Sequence, residues 1–118
     1  MHNFKELIVW QKSRELVKEL YLILNSFPDA EKFGIISQIR RASISIPANI
    51  AEGAGRNSDN DFCRFLDIAN GSSYELETLI ILSFDFKYLS KSDYDIITNK
   101  IEEIQKMIYS LRHKLKQS

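Results

Sequence analysis

The chain has 118 residues, and its 16 Lys and Arg balance 16 Asp and Glu, so its formal net charge is zero. This length fits a single domain over residues 1–118, and zero net charge excludes a uniformly basic surface that coats nucleic acid. With 4 Gly and 2 Pro the chain has too few turn formers for a β-sandwich or barrel, so helices are expected.

The first helix is predicted over residues 7–27, where apolar residues recur with the 3.6-residue period of an amphipathic helix. Asn3 and Glu6, just before it, have the spacing of a capping box. Pro28 follows directly, and a residue before proline is biased away from helical geometry. The segment is therefore expected to end at residue 27.

The second helix is predicted from about residue 31 to residue 54, with Pro47 in its interior. A proline there removes a backbone donor at a cost of about 3 kcal/mol, so the segment is either kinked or divided. The apolar period continues through Pro47 without a phase shift, which favours one kinked helix. Gly53 and Gly55 are expected to cap its C-terminal end.

Two further helices follow. The third begins at Ser58 and contains a run of small residues at positions 69–73, which would let a neighbouring helix approach closely. The fourth begins after Ser90 and carries a strict seven-residue apolar repeat, typical of a helix packed lengthwise on its neighbours. Four such helices with short connections predict an all-α fold, an up-and-down four-helix bundle.

Residues typical of catalysis or metal binding are sparse. His2 and His113 lie near opposite ends of the chain, and neither follows a Glu by three residues, so the ligand pairs of di-iron bundles are missing. Cys63 is the only cysteine and is interpreted as a packing residue. Neither a phosphate-binding loop nor a G-x-S-x-G nucleophile motif occurs in the sequence. No metal, no cofactor and no enzymatic activity are therefore expected.

A polar stripe runs along one side of the predicted second helix, with members recurring every three or four residues. It is either a solvated face or a hydrogen-bonded network at an interface. Neutral hydrogen-bonding side chains are unusual on a merely solvated face, where Lys and Glu are common, so both interpretations stay open. The candidate interface residues are Gln38, Arg41, Ser45, Asn49 and Glu52, with Ser72 and Glu75 on the third helix.

The zero net charge conceals an uneven distribution. Residues 106–118 hold four bases and no acid, so they carry +4 and the rest of the chain −4. These bases either compensate the dipole at a helix C-terminus or form a phosphate-contacting patch. Trp10 and Tyr74 are candidates to stack on bases, although core packing is the expected role of Trp10. The candidate nucleic-acid contacts are Arg40, Arg56, Arg64, Lys106, Arg112, Lys114 and Lys116.

The N-terminal sequence alternates charged and apolar residues, so we expect no signal peptide. The longest apolar run is far short of the roughly 20 residues that cross a bilayer. A lone cysteine suits a reducing compartment. Together these features predict a cytoplasmic protein.

Several blocks of the sequence resemble one protein family. They are residues 38–42, the block S-I-P-A-N-I-A-E-G at residues 45–53, the triplet R-F-L at residues 64–66, and residues 69–77. These blocks resemble the four-helix-bundle proteins encoded in 23S rRNA intervening sequences. The same family includes the accessory variability determinant proteins of diversity-generating retroelements.

This resemblance implies an up-and-down bundle that assembles as a homopentamer around a central channel, which in the retroelement members is basic and binds nucleic acid. It implies no enzymatic activity and no cofactor. Two functions are therefore considered. One is an oligomeric accessory protein that binds RNA or DNA, and the other is a scaffold that binds a partner protein and no nucleic acid.

Overall fold

The structure, a computed structural model, describes residues 1–117, so Ser118, the last residue of the predicted domain, lies outside the described part. Neighbouring helices along the chain pack on each other, and the fourth also packs on the first, which confirms the predicted up-and-down four-helix bundle. The bundle is 46 Å long. Its helices are α1 (Ile8–Leu24), α2 (Ile35–Ala54), α3 (Asp59–Asp85) and α4 (Lys91–Gln117), with 3-10 turns at Phe4–Glu6 and Asp29–Glu31.

The core lies where the apolar faces of the four helices meet. The seven-residue repeat of α4 is buried as its period predicts, with Ile97, Ile101, Ile104 and Ile108 at most 1% exposed. Phe62 of α3 is also almost fully buried. Full burial of such a side chain stabilises the fold by about 1.5–3 kcal/mol, so one contiguous core holds the four helices together.

Two helix starts have the caps that the sequence predicts. The Ser58 hydroxyl accepts a hydrogen bond from the backbone N–H of Asp61 at 3.1 Å, and Ser90 accepts one from Asp93 at 3.1 Å. The cap predicted at Asn3 is wrong for α1. Its side-chain oxygen accepts from the backbone N–H of Lys5 at 3.2 Å and caps the first 3-10 turn instead.

α2 departs from its predicted bounds. It begins at Ile35 rather than near residue 31, because the preceding residues form a separate 3-10 turn. The helix is continuous through Pro47, which confirms one helix, while the kink there stays a prediction. Gly55 is the C-cap as expected, but Gly53 lies inside the last turn, where it is buried.

Gly53 marks a close approach of α2 to α3. A Cβ at this position would lie 2.7 Å from the Cβ of Phe65 and 2.9 Å from Cδ1 of Phe62. The small residues of α3 also contact α2, through Ser72, but a Cβ at Gly71 would meet nothing within 4 Å. The glycine that the packing requires is therefore Gly53, and Gly71 faces open space.

A hydrogen bond fastens the turn before α2 to the connection between α3 and α4. The Tyr88 hydroxyl donates to Oε2 of Glu31 at 2.9 Å. This hydrogen bond to the carboxylate, together with the charge repulsion that the phenolate would experience, raises the pKa of Tyr88 above its ordinary value of 10.0.

We expect Tyr88 to ionise later than a free tyrosine in a spectrophotometric pH titration of the folded protein. Folding raises the pKa of Tyr88. The hydrogen bond of its protonated hydroxyl to Glu31 therefore stabilises the fold fully below pH 10, and this stabilisation is lost as the pH rises through the folded pKa. Tyr88→Phe should remove the late-ionising group, and Glu31→Gln should return it toward 10.0. A late group that survives Tyr88→Phe would contradict the assignment.

Candidate nucleic-acid interface

One end of the bundle brings together segments that are far apart in the chain. The backbone N–H of His2 donates to the carbonyl of Ala54, at the end of α2, at 2.8 Å. The ammonium of Lys116, near the end of α4, donates to the side chain of Asn60 in the first turn of α3 at 3.2 Å. We call this region the basic end and define it by Arg56, Arg64, Arg112, Lys114 and Lys116.

The basic end contains five of the seven predicted nucleic-acid contacts. The other two lie elsewhere on the bundle. Arg40 lies at the seam between α1 and α2, where its guanidinium covers the ring of Tyr21. Lys106 lies near the middle of α4 and lines a groove of about 760 Å³ between α4 and α1, which reaches Lys114 at the basic end. The structure therefore brings together most of the predicted set.

Acidic residues of α3 face the C-terminal bases across the basic end. Nε of Arg112 donates to Oδ1 of Asp67 at 2.6 Å, and a terminal nitrogen donates to Oδ2 at 3.2 Å. Arg64 lies 3.3 Å from Asp61 on its own helix. From the sequence, the net charge of +4 on residues 106–118 is interpreted as a separate basic patch, and the carboxylates that lie beside the arginines are not predicted. The sequence feature that could have predicted these carboxylate partners is the acidic composition of the first turns of α3.

The ion pairs at the basic end are open to solvent. The side chain of Arg64 is 80% exposed and that of Asp61 is 46% exposed. Exposed pairs of this kind contribute about 0–1 kcal/mol, so a phosphate can replace the carboxylate at small cost. Asp67 raises the pKa of Arg112, mainly through its hydrogen bond, so this guanidinium stays charged at any physiological pH.

The middle of the polar stripe is a hydrogen-bonded network between α2 and α3. The hydroxyls of Ser45 and Ser72 lie 2.9 Å apart. The Asn49 amide donates to the carbonyl of Ser45 at 2.8 Å and to its hydroxyl at 2.9 Å. All three side chains are half-buried, so part of the stripe serves the packing of α2 on α3 within one chain.

The remaining members of the stripe are exposed in the single chain. Arg41 lies 3.9 Å from Glu75, with side chains 78% and 48% exposed. Glu52 is exposed and pairs with Arg56 at 3.2 Å, and Gln38 is exposed as well. Within the single chain, the middle of the stripe is therefore a hydrogen-bonded network between α2 and α3, and its other members are exposed to solvent.

We expect Asn49→Ala to lower the free energy of unfolding by about 1 kcal/mol or more, because it removes two hydrogen bonds from a half-buried site. Urea denaturation followed by circular dichroism measures this effect. Glu52→Ala, one turn away on the same helix, is the matched control and should stay within about 0.5 kcal/mol. Equal losses for the two variants would contradict the division of the stripe.

Two of the six arginines have no carboxylate within 4.0 Å among residues 1–117, and both lie against aromatic rings. Cζ of Arg40 is 5.1 Å from the ring centroid of Tyr21, and Cζ of Arg14 is 5.6 Å from that of Trp10. Sequence reasoning named Arg40 and Trp10 but missed Arg14 and Tyr21. The available signal was their spacing, since residues 10, 14 and 21 share one face of α1.

The described residues offer little for other chemistry. Within residues 1–117, no group of three or more His, Cys, Asp or Glu is placed to hold a metal ion. Cys63 is 2% exposed, as expected of a packing residue, and its sulfur lies 3.8 Å from the carbonyl of Arg112. None of the helices described is both long and apolar enough to cross a membrane.

Comparisons with known proteins agree with this fold. The family model described as 23S rRNA-intervening sequence protein matches residues 5–110. A similar solved structure is the crystal structure of a protein of unknown function from the S23 ribosomal protein family of Bacteroides thetaiotaomicron VPI-5482. It is 30% identical with a TM-score of 0.80, and the match covers 89% of this chain and 98% of that one. A search of curated proteins finds no match.

Proposed function

We propose that this chain, which belongs to the 23S rRNA-intervening sequence protein family, is a non-enzymatic, homo-oligomeric accessory protein that binds nucleic acid in the cytoplasm. The observation that supports this proposal is the convergence of α2, α3 and α4 at the basic end, which brings together five Lys and Arg side chains from three segments of the chain. Clustered cations are sufficient for phosphate contacts, which need no base-reading motif.

When nucleic acid binds at the basic end, its phosphate groups replace the carboxylates that pair with the arginines. Lys114 is exposed in the last turns of α4, and exposed carboxylates accompany the neighbouring arginines. A phosphate oxygen replaces the carboxylate at a guanidinium and restores a charge-assisted hydrogen bond. Each phosphate neutralised in this way releases condensed counterions, so the affinity must fall as the salt concentration rises.

The binding test is a fluorescence-anisotropy titration of structured RNA and duplex DNA at two salt concentrations. The logarithm of affinity should fall with the logarithm of salt by about 0.7–0.9 per phosphate contact. Lys114→Gln with Lys116→Gln should reduce both the affinity and this slope. The control, Lys87→Gln with Lys91→Gln, removes the same charge at the opposite end of the bundle. Absence of binding at about 50 mM salt would refute the proposal.

The homo-oligomer is proposed to form through the outer face of α2 and α3. Large apolar side chains are exposed there, among them Ile44 at 45%, Ile68 at 51% and Phe86 at 52%. Contiguous exposed apolar patches mark protein interaction sites, and we propose that these side chains contribute to one such patch. A homopentamer is the assembly that the family resemblance implies, and we propose it for this chain.

Light scattering coupled to size exclusion measures the number of chains directly. The wild-type protein should elute as a species of several chains. Ile68→Glu should reduce the mass toward that of one chain, because it places a charge in the proposed contact. Ile96→Glu, at an isoleucine of α4 with similar exposure, is the control and should leave the mass unchanged. A wild-type protein that elutes as a single chain would refute the oligomer.

A scaffold that binds a partner protein and no nucleic acid is the second candidate. It is supported by exposed apolar side chains away from the α2–α3 face, of which Phe33 is 90% exposed and Leu22 is 72% exposed. In this case a purified partner should remain bound after nuclease treatment, and Phe33→Ser should weaken that complex. Loss of the complex on nuclease treatment would exclude this function.

A further inference from the structure

We infer that the seam between α1 and α2 is a second nucleic-acid site, which binds single-stranded RNA or DNA through the guanidinium groups of Arg14 and Arg40 and stacks its bases on Trp10 and Tyr21. This inference rests on the proposed function. It adds a preferred form of nucleic acid and a second binding surface, the seam between α1 and α2.

The two arginines at this seam differ from the other four in their partners. Arg41, Arg56, Arg64 and Arg112 each lie within 4.0 Å of a carboxylate. The guanidinium groups of Arg14 and Arg40 lie against aromatic rings and have no carboxylate within 4.0 Å in the described part of the chain. Arg56 also lies against a ring, 4.8 Å from the centroid of Phe65, but it pairs with Glu52 as well. A phosphate arriving at the seam therefore displaces no carboxylate, whereas at the three arginines of the basic end it must.

Arg40 is also partly dehydrated before any ligand arrives. Its Nε is buried and has no hydrogen-bond partner within residues 1–117. The side chain as a whole is half-buried, with its guanidinium against the ring of Tyr21. Charge-assisted hydrogen bonds from its terminal nitrogens to a phosphate would compensate for this dehydration, and such bonds are stronger where water is excluded.

Little negative charge opposes the two arginines. Residues 35–51 of α2 contain no acid at all. The acids of α1 have other partners, since Glu19 pairs with Lys100 of α4 and Glu15 lies 3.8 Å from Lys18. The seam is therefore electropositive in a chain whose total charge is zero.

Both aromatic rings lie on one face of α1. Tyr21 is 37% exposed, whereas Trp10 is half-buried and packs on the core with part of its ring. Arg14 and Tyr21 are seven residues apart on α1, which places them about 10.5 Å apart along one face. Trp10 is held edge-on against Phe4, with ring centroids 5.0 Å apart. Two pairs of cation and ring thus follow each other along the seam. Bases stack on such rings with little sequence preference, and only unpaired bases can reach them.

Trp10 is the only tryptophan in the chain, so its intrinsic fluorescence reports on this seam alone. We expect a 12-nucleotide oligouridylate to quench this fluorescence and a duplex of the same length not to do so. Tyr21→Leu should weaken oligouridylate binding about tenfold without changing its salt dependence, because it removes a stacking surface and no charge.

Arg14→Gln combined with Arg40→Gln should weaken the same binding by tenfold or more and reduce the salt slope by about 1.4, the value for two contacts on a single strand. The control is again Lys87→Gln with Lys91→Gln, with thermal melting to verify that every variant folds. Labelled oligouridylate that binds without quenching Trp10, and equally well to the arginine variant and the control, would overturn this inference and leave the proposed function intact. Absence of any binding to single strands, structured RNA or duplex would overturn both.

Discussion

Replacing Ile101 by alanine is expected to lower the free energy of unfolding by about 2–5 kcal/mol. Ile101 is fully buried in the middle of the seven-residue repeat of α4. The truncation removes three carbon atoms from the core and leaves a cavity that the four helices cannot fill without moving. Urea denaturation monitored by circular dichroism measures the loss as a shift of the midpoint at constant slope.

Ile96→Ala is the matched control for this experiment. It makes the same chemical change five residues earlier in α4, at a side chain that is 48% exposed. Its effect should stay within about 0.5 kcal/mol, because about half of its surface stays in water on folding and alanine, the better helix former, offsets part of the loss. A loss at Ile101 no larger than that at Ile96 would contradict the assignment of the repeat to the core.

Gly53→Ala is expected to lower the free energy of unfolding by about 1–3 kcal/mol, even though alanine is the better helix former. The added Cβ would overlap Phe62 and Phe65, so α2 and α3 must separate along their most extensive contact. Thermal or chemical denaturation gives the sign and the size of the change.

Gly71→Ala makes the same substitution in α3 and should have the opposite sign. It should raise the stability by about 0.5–1 kcal/mol, because the new methyl group meets nothing within 4 Å and alanine favours the helix. A gain at both glycines would show that α2 and α3 do not approach closely at Gly53. A loss at both would point to an additional contact at Gly71.

The elements that the sequence predicts well are those determined by local patterns. The repeat of α4 and the caps at Ser58 and Ser90 involve residues at most a few turns apart, so period and spacing identify them. Short connections then leave an up-and-down bundle as the simplest arrangement, and this topology also places the end of α4 beside the start of α3.

The features that the sequence does not predict depend on pairs of residues far apart in the chain. Arg112 and Asp67 are 45 positions apart, and only the register of α3 against α4 brings them together. The role of Gly53 likewise depends on the side chains that α3 presents to it. A glycine near the end of a helix usually acts as a cap, and tertiary packing overrides that expectation here.

The candidate interface, too, has features that the sequence predicts and features that only the structure reveals. The clustering of Lys and Arg along the sequence identifies the seven candidate cations, but it cannot tell a guanidinium that has a carboxylate partner from one that has none. The structure makes that distinction. The contact of Arg40 with Tyr21 follows from the packing of α1 on α2, whereas the contact of Arg14 with Trp10 lies within α1. The charge balance of the whole chain says nothing about such local differences.

Sedimentation velocity of the protein mixed with a fluorescein-labelled single-stranded RNA, detected at the absorbance of the dye, tests the central claim most directly. A homo-oligomer that binds nucleic acid should carry the dye in a species of several chains at about 50 mM salt and release it as the salt concentration rises. Dye that sediments as unbound RNA at about 50 mM salt would contradict the account.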